Sequence, residues 1–338
     1  MLARIGVVIG MAAVAAAIVA GCGGGSTTGP GSAIIGPNGG RLVVGGIIVD
    51  VPPGALPTDF TLVVAPLSAA QVPAPPGGLS VIWAAQFEPD GLPFALPVTI
   101  TFPLSARLPG GQTLPLWWVQ GGVWQDSGFH AVVSADGRTA VADVTHFSIY
   151  AIFADYAPLK VGASWTYHRV VQTTPAGGAP NPPETSTVTA TITGTQDVGG
   201  LVSYVWSESA PSDLKLWLHR SDTELLLTAV QPSGQPQQAL SSPARMLMLP
   251  PDAGQTWQAT LPMLAATAQA LVTAETIQVG AGSFDTMRVQ FTPTPPAQGE
   301  MNIWFAPQVG PVKWLLSSVE PGVQTTVIEM DLMSYSIP

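Results

Sequence analysis

The sequence predicts an all-β protein: an antiparallel β-sandwich followed by a second, mostly antiparallel β domain. Three observations carry this. The 36 glycines and 34 prolines of the 338-residue chain break helices and punctuate short strands. Apolar and polar residues alternate one by one, as in Val98-Thr99-Ile100-Thr101-Phe102, the period of a strand with one buried side. Residues 33–154 contain no stretch with the spacing of an amphipathic helix. A 46% hydrophobic content with ten tryptophans supplies real cores, so low charge (9%) does not mean disorder.

The first residues read as an export signal. Met1 to Arg4 is short and basic, and Ile5 to Ala20 is almost wholly apolar. A secretory core needs only ~7–15 apolar residues, against ~20 for a membrane span. The stretch ends in Val19-Ala20-Gly21-Cys22, which resembles the lipobox of bacterial lipoproteins. That resemblance implies removal of residues 1–21 and a diacylglycerol on the Cys22 thiol. An ordinary signal peptide with a chance cysteine, or an uncleaved anchor, are the alternatives. Cys22 is the sole cysteine, so no disulfide forms within the chain and no other thiol serves catalysis or metal. Gly23 stands where an aspartate would resemble the inner-membrane retention signal, which favours the outer membrane or cell surface.

Without residues 1–21 the chain keeps 338 less 21, or 317 residues, enough for two domains. Its net charge of −10 becomes −11 when Arg4 leaves with the signal. An acidic surface repels phosphate backbones, so nucleic acid is excluded as a partner. The same charge gives no help with anionic lipid, so the membrane is held through the lipid on Cys22.

Residues 22–32, mostly Gly, Ser and Thr, form a flexible tether. No Lys-Ser/Thr pair follows its glycines, so it is no phosphate loop. Within 33–154, Ile47 to Val51 reads as a strand that stops at Pro52-Pro53-Gly54, and Asp90-Gly91 and Asp136-Gly137 read as turns that join antiparallel strands. An ordered set of segments runs through this region: Gly39-Gly40-Arg41-Leu42, Val51-Pro52-Pro53-Gly54-Ala55-Leu56, Phe87 to Phe94, Pro97-Val98-Thr99-Ile100, Leu116-Trp117-Trp118, Trp124 and Val144 to Tyr150. Together they resemble the ZU-five domain, the β-sandwich of netrin receptors, ankyrins and zonula occludens proteins. The resemblance implies a protein-interaction or structural module, with a protein partner at the cell envelope.

Residues 155–338 form the second domain. Pro158-Leu159-Lys160-Val161-Gly162-Ala163-Ser164-Trp165-Thr166-Tyr167 opens it, and Trp304-Phe305-Ala306-Pro307-Gln308-Val309-Gly310-Pro311-Val312-Lys313 comes near its end. Both are similar to segments of a group of bacterial secreted lipoprotein domains without an established activity, which implies a curved half-barrel like that of lipoprotein carriers. Val188, Ala190 and Ile192 alternate with threonines, and Leu214, Leu216 and Leu218 lead into a turn at Arg220-Ser221-Asp222 and a hairpin with Glu224 to Leu227. Thr174 to Ser186 is a Pro-rich loop. Pro262 to Thr276 is Ala-rich enough for a short helix, while Thr273 to Val279 patterns as strand.

Candidate chemistry is sparse. The four histidines (His130, His146, His168, His219) show no metal-ligand spacing, no calcium-loop ladder occurs, and neither metal nor cofactor is expected. His168 is placed at a strand end. No G-x-S-x-G elbow supports a serine hydrolase, and the scattered carboxylates sit mostly in turns. His146-Phe147-Ser148 is the exception. In some eukaryotic relatives of the ZU-five domain this tripeptide cuts itself between Phe and Ser, the hydroxyl attacking the preceding carbonyl with help from the histidine. That chemistry needs a strained peptide and a base in reach of Oγ; the competing role is a final strand with Phe147 in the core. The tryptophans are either core or an exposed stacking surface. The sequence therefore points to a non-catalytic, lipid-tethered binding or scaffolding module. A carrier of lipid or another hydrophobic ligand in the second domain is the alternative, and a protein self-cleaving at Phe147-Ser148 is third.

Overall fold

Alternation of buried and exposed side chains turns most of residues 30–338, those described by a computed structural model, into antiparallel strand. Cys22, the expected signal of residues 1–21 and residues 23–29 of the expected tether lie outside the described residues; Gly31 and Ser32, read as tether, belong to the first strand. The first ten strands are β1 (Gly31–Ile35), β2 (Gly40–Val44), β3 (Ile47–Val51), β4 (Phe60–Pro66), β5 (Ser80–Glu88), β6 (Pro93–Pro103), β7 (Thr113–Gln120), β8 (Val123–Val133), β9 (Thr139–His146) and β10 (Ile149–Ala154). They form one sheet in the order β1-β4-β5-β10-β7-β8-β9-β6-β3-β2. Its two ends are consecutive strands joined by a tight turn, with an isolated bridge between Gly36 and Gly39. A Cβ on Gly31 would lie 2.6 Å from Val44 Cγ2, so the sheet curls until β1 runs beside β2. Its inner face is apolar: Val49, Val98, Ile100, Phe102 and Val144 are fully buried.

Twelve strands follow: β11 (Ser164–Pro175), β12 (Glu184–Val198), β13 (Leu201–Glu208), β14 (Lys215–Arg220), β15 (Glu224–Gln231), β16 (Gln238–Met248), β17 (Thr256–Leu261), β18 (Ala266–Val279), β19 (Gly282–Pro293), β20 (Gly299–Ala306), β21 (Gly310–Glu320) and β22 (Gln324–Ser336). This second sheet has the order β16-β15-β14-β13-β12-β11-β22-β21-β20-β19-β18-β17. It is two meanders joined where β11 pairs with β22. Its ends meet as well, since Trp257 Nε1 on β17 donates to the Arg245 carbonyl on β16 at 2.9 Å. The architecture is all-β and antiparallel, as the alternation predicts, with each sheet nearly closed into a barrel.

Three local expectations shift. The Ala-rich segment is strand from Ala266 on, because Ala268, Ala270 and Val272 point alternately inward and are fully buried. The Pro-rich loop is shorter than its composition indicates: β11 reaches Pro175 and β12 starts at Glu184. His168 lies within β11, not at its end, exposed and paired with Asp331 of β22 and Thr187 of β12.

One hydrophobic cluster runs through both sheets by way of Tyr156, Ala157 and Leu159. Polar contacts brace the junction. Asp285, at the start of β19, accepts from the Arg107 amide (2.9 Å) and from Arg138 Nη1 (2.7 Å) of the first sheet's loops. Arg220 Nη2 donates to the Gly77 carbonyl (2.8 Å) and contacts Asp155 (3.2 Å). Gln308 Nε2 donates to the Phe153 carbonyl at 3.0 Å.

Candidate functional sites

His146 ends β9, and Phe147 and Ser148 occupy the break before β10. Phe147 is fully buried, 5.3 Å from the Phe87 ring and edge-on to Phe94 at 4.8 Å. Its amide donates to the Leu92 carbonyl (3.2 Å), and its carbonyl accepts from the Gly91 amide (2.8 Å). The Asp90-Gly91 turn read from the sequence is thus what clamps the tripeptide. Ser148 is buried, and its carbonyl accepts from the Phe87 amide at 3.0 Å.

The His146 ring packs into an aromatic box: Trp118 edge-on at 4.9 Å, Phe129 at 5.5 Å and Tyr150 at 6.1 Å. Its Nε2 is buried with no hydrogen-bond partner, so it is not bonded to the Ser148 hydroxyl. Burial lowers the His146 pKa below 6.5 against the opposing charge of Asp90. The Tyr150 hydroxyl, its pKa raised by burial, donates to the His146 carbonyl at 2.8 Å. Neither Phe147 nor Ser148 has a positive φ. Phe147 is in the core, as the competing role expects, but it lies between strands rather than in a final one; a base on Ser148 is not in place.

The two segments quoted from the second domain meet in space. Trp165 Nε1 donates to the Val309 carbonyl and the Tyr167 hydroxyl to the Pro311 carbonyl, each at 2.7 Å. Gly310 between those carbonyls has φ +86, a region that an L side chain rarely adopts. A Cβ there would lie 3.4 Å from Pro158 Cδ. Trp165 stacks on Trp206 at 4.8 Å, and Trp314 lies 6.2 Å from Trp206. With Leu218, Leu225 and Met246 these three rings line an apolar cavity of ≈ 20 Å³. That is room for about one water, and its walls offer no polar atom to hold it.

Beside the cavity is a residue that sequence reasoning missed. Glu208 is 7% exposed and accepts from Trp206 Nε1 (3.2 Å) and the Ser212 hydroxyl (2.5 Å). Burial raises its pKa above the usual range, although these bonds and the charge of Arg169 oppose the rise. Glu208 ends β13 at a place where the alternation requires an inward side chain, and that register is its only trace in the sequence.

A cleft of ≈ 370 Å³ opens at the junction, lined by Arg138 and Tyr156 on one side and Glu275, Thr276 and Asp285 on the other. Burial disfavours the charge on Asp285, yet bonds from the Arg107 amide, Thr276 hydroxyl and Arg138 outweigh it and lower its pKa. Arg288 lies 3.4 Å from Glu275, which also accepts from Trp304 Nε1 at 2.7 Å. The charges pair off within the wall. Among the described residues no three His, Cys, Asp or Glu side chains gather as a metal-holding group. None of the ten tryptophans is exposed: seven are buried, and Trp117, Trp118 and Trp314 are half-buried.

No family model matches the chain, and no curated protein does. Two solved structures are similar to part of it. One, from Bacteroides fragilis, is described as exported with a YmcC-like fold; it shares 17% identity over 54% of this chain and 99% of its own, with a TM-score of 0.29. The other, described as a lipoprotein of Parabacteroides distasonis, shares 13% over the same 54% and 99%, with a TM-score of 0.26. Scores this low transfer neither fold nor function.

Proposed function

We propose that this protein is an extracytoplasmic lipoprotein, anchored by acyl chains on Cys22, that serves as a non-catalytic binding or scaffolding module of the cell envelope. The Val19-Ala20-Gly21-Cys22 segment after an apolar run supports the anchor, and Gly23 supports the outer membrane or cell surface. The packed interior carries the choice of scaffold over carrier. A carrier of a hydrophobic ligand would need an apolar cavity of some hundreds of Å³; the tryptophan-lined space holds ≈ 20 Å³, and the ≈ 370 Å³ cleft at the junction is lined mostly by polar and charged side chains. The ZU-five-like segments of residues 33–154 support a protein partner. His146, turned into its aromatic box, supports a role for Phe147-Ser148 in packing rather than in self-cleavage.

Membrane fractionation tests the anchor. Wild-type protein should stay with membranes after a high-salt wash, and Cys22→Ser should be recovered in the soluble fraction. A Cys22→Ser protein that still partitions with membranes would overturn the anchor. Native mass spectrometry of the purified protein tests the scaffold: a co-purifying lipid mass beyond the covalent one would replace it with the carrier.

A further inference from the structure

The outer face of the first sheet carries an apolar row that the fold leaves uncovered. The ladder registers place Val43 of β2 opposite Ile48 of β3, Ile48 opposite Thr101 of β6, Thr101 opposite Val141 of β9, and Val141 opposite Val132 of β8. Each residue alternates with inward neighbours that are buried, so all five side chains project from the same outer face. Val43 is 59% exposed, Val132 49% and Val141 39%. Ile34, on β1 beside β2, is 74% exposed. Large apolar side chains standing singly on a surface are ordinary; here Val43, Ile48, Val141 and Val132 stand in one row, interrupted only by Thr101 of β6.

The next row on this face is polar and self-satisfied. Arg41 forks onto Asp50 with bonds of 2.5 and 2.9 Å, and the Thr99 hydroxyl donates to Asp143 at 2.6 Å. The arginine of that row, Arg41, is thus already paired with Asp50 and is not left to recruit an acidic partner.

The chain outside the described residues says what lies against it. Gly31 follows Cys22 by nine residues and packs on Val44, next to Val43 of the row. Fully extended, that segment spans about 30 Å, and as a Gly-rich coil about 17 Å. Five strands spaced about 4.8 Å apart span about 19 Å. A lipidated cysteine on so short a leash keeps the β1–β2 end of the row at the bilayer surface. We propose that the outer face of β2, β3, β6, β9 and β8 lies against the lipid surface that holds the Cys22 anchor. This rests on the anchor proposed above. Apolar contact of the folded part then adds to the acyl chains, as a second weak membrane signal does.

The test uses the full lipidated chain. With Cys22 acylated, a cysteine introduced by Val141→Cys or Val132→Cys is the one free thiol, and Val202→Cys, 60% exposed on the second sheet, is the control. Each is labelled with a polarity-sensitive nitrobenzoxadiazole dye. The protein is then reconstituted into phosphatidylethanolamine–phosphatidylglycerol vesicles with and without brominated acyl chains. Dyes at Val141 and Val132 should shift to the blue and be quenched by brominated lipid, while the dye at Val202 does neither. Protein that floats with the vesicles but leaves the Val141 and Val132 dyes unquenched overturns the proposal and leaves the anchor standing. Protein that does not float overturns the anchor itself. A blue shift that rises with protein concentration, without quenching, assigns the face to a second copy and also overturns the proposal.

Discussion

His146 in the first sheet and Glu208 in the second are both titratable groups set among aromatic rings, but their surroundings treat them in opposite ways. The Glu208 carboxylate has two donors, Trp206 and Ser212. The His146 Nε2 has none. Both sites favour the neutral form, because moving charge away from water costs more than the neighbours return. Since one group is a base and the other an acid, they bend stability against pH in opposite directions. His146 has its folded pKa below 6.5, so the unfolded chain binds the proton better, and stability falls as pH drops below 6.5. Glu208 has its folded pKa above 4.5, so the folded chain binds the proton better, and stability falls as pH rises past 4.5. Between 4.5 and 6.5 the two effects oppose one another as the pH changes.

Four substitutions at three positions break or sharpen that contrast. The largest effect belongs to Trp165→Ala, which removes the stack on Trp206 and the bond to the Val309 carbonyl; truncating a buried tryptophan costs about 3–5 kcal/mol. Urea denaturation should show a loss of that size, and a loss below about 1 kcal/mol would mean that the second sheet's tryptophan box is not packed as described. Next comes Glu208→Ala, which strands the Trp206 and Ser212 donors and should cost about 1–3 kcal/mol at neutral pH. Glu208→Gln keeps an acceptor, so it should cost less and also remove the decline in stability above pH 4.5. Equal losses for the two variants would show that hydrogen bonding is not what Glu208 contributes. His146→Phe is the smallest. It replaces an unpartnered ring nitrogen with carbon, so thermal stability near neutral pH should barely move. The decline on the acid side of 6.5 should be weaker than in the wild type. An unchanged acid limb would mean that His146 is solvated in the folded protein.

How much of this was legible in the sequence depended on whether a residue's role was local. The β3 strand stopping before Pro52, the Asp136-Gly137 turn between paired β8 and β9 and the β14–β15 hairpin follow from neighbours along the chain, and all are present. Asp90-Gly91 is a turn too, but β5 and β6 on either side of it do not pair with each other. Burial of Val98, Ile100 and Phe102 follows from period two. The helix option for Pro262 to Thr276 was open because alanine suits both states, and β19 settles it by pairing along all of β18 from Ala268. The site residues were harder. Trp165 and Val309 stood out as two separate segments, but their bond joins positions 144 residues apart, which no spacing rule reaches. The charge of Glu208 gave no sign that it would face inward between Trp206 and Ser212. The Asp285 brace depends on loops of the first sheet meeting β19, a contact invisible before both sheets are folded.

The function proposed for this protein stands on Cys22. Intact-mass and peptide analysis of protein purified from its native membrane addresses it directly. The account predicts a chain that lacks residues 1–21 and begins at a Cys22 carrying diacylglycerol, with or without a further acyl chain on its amine. A chain that retains residues 1–21, or that begins elsewhere with an unmodified Cys22 thiol, would contradict it.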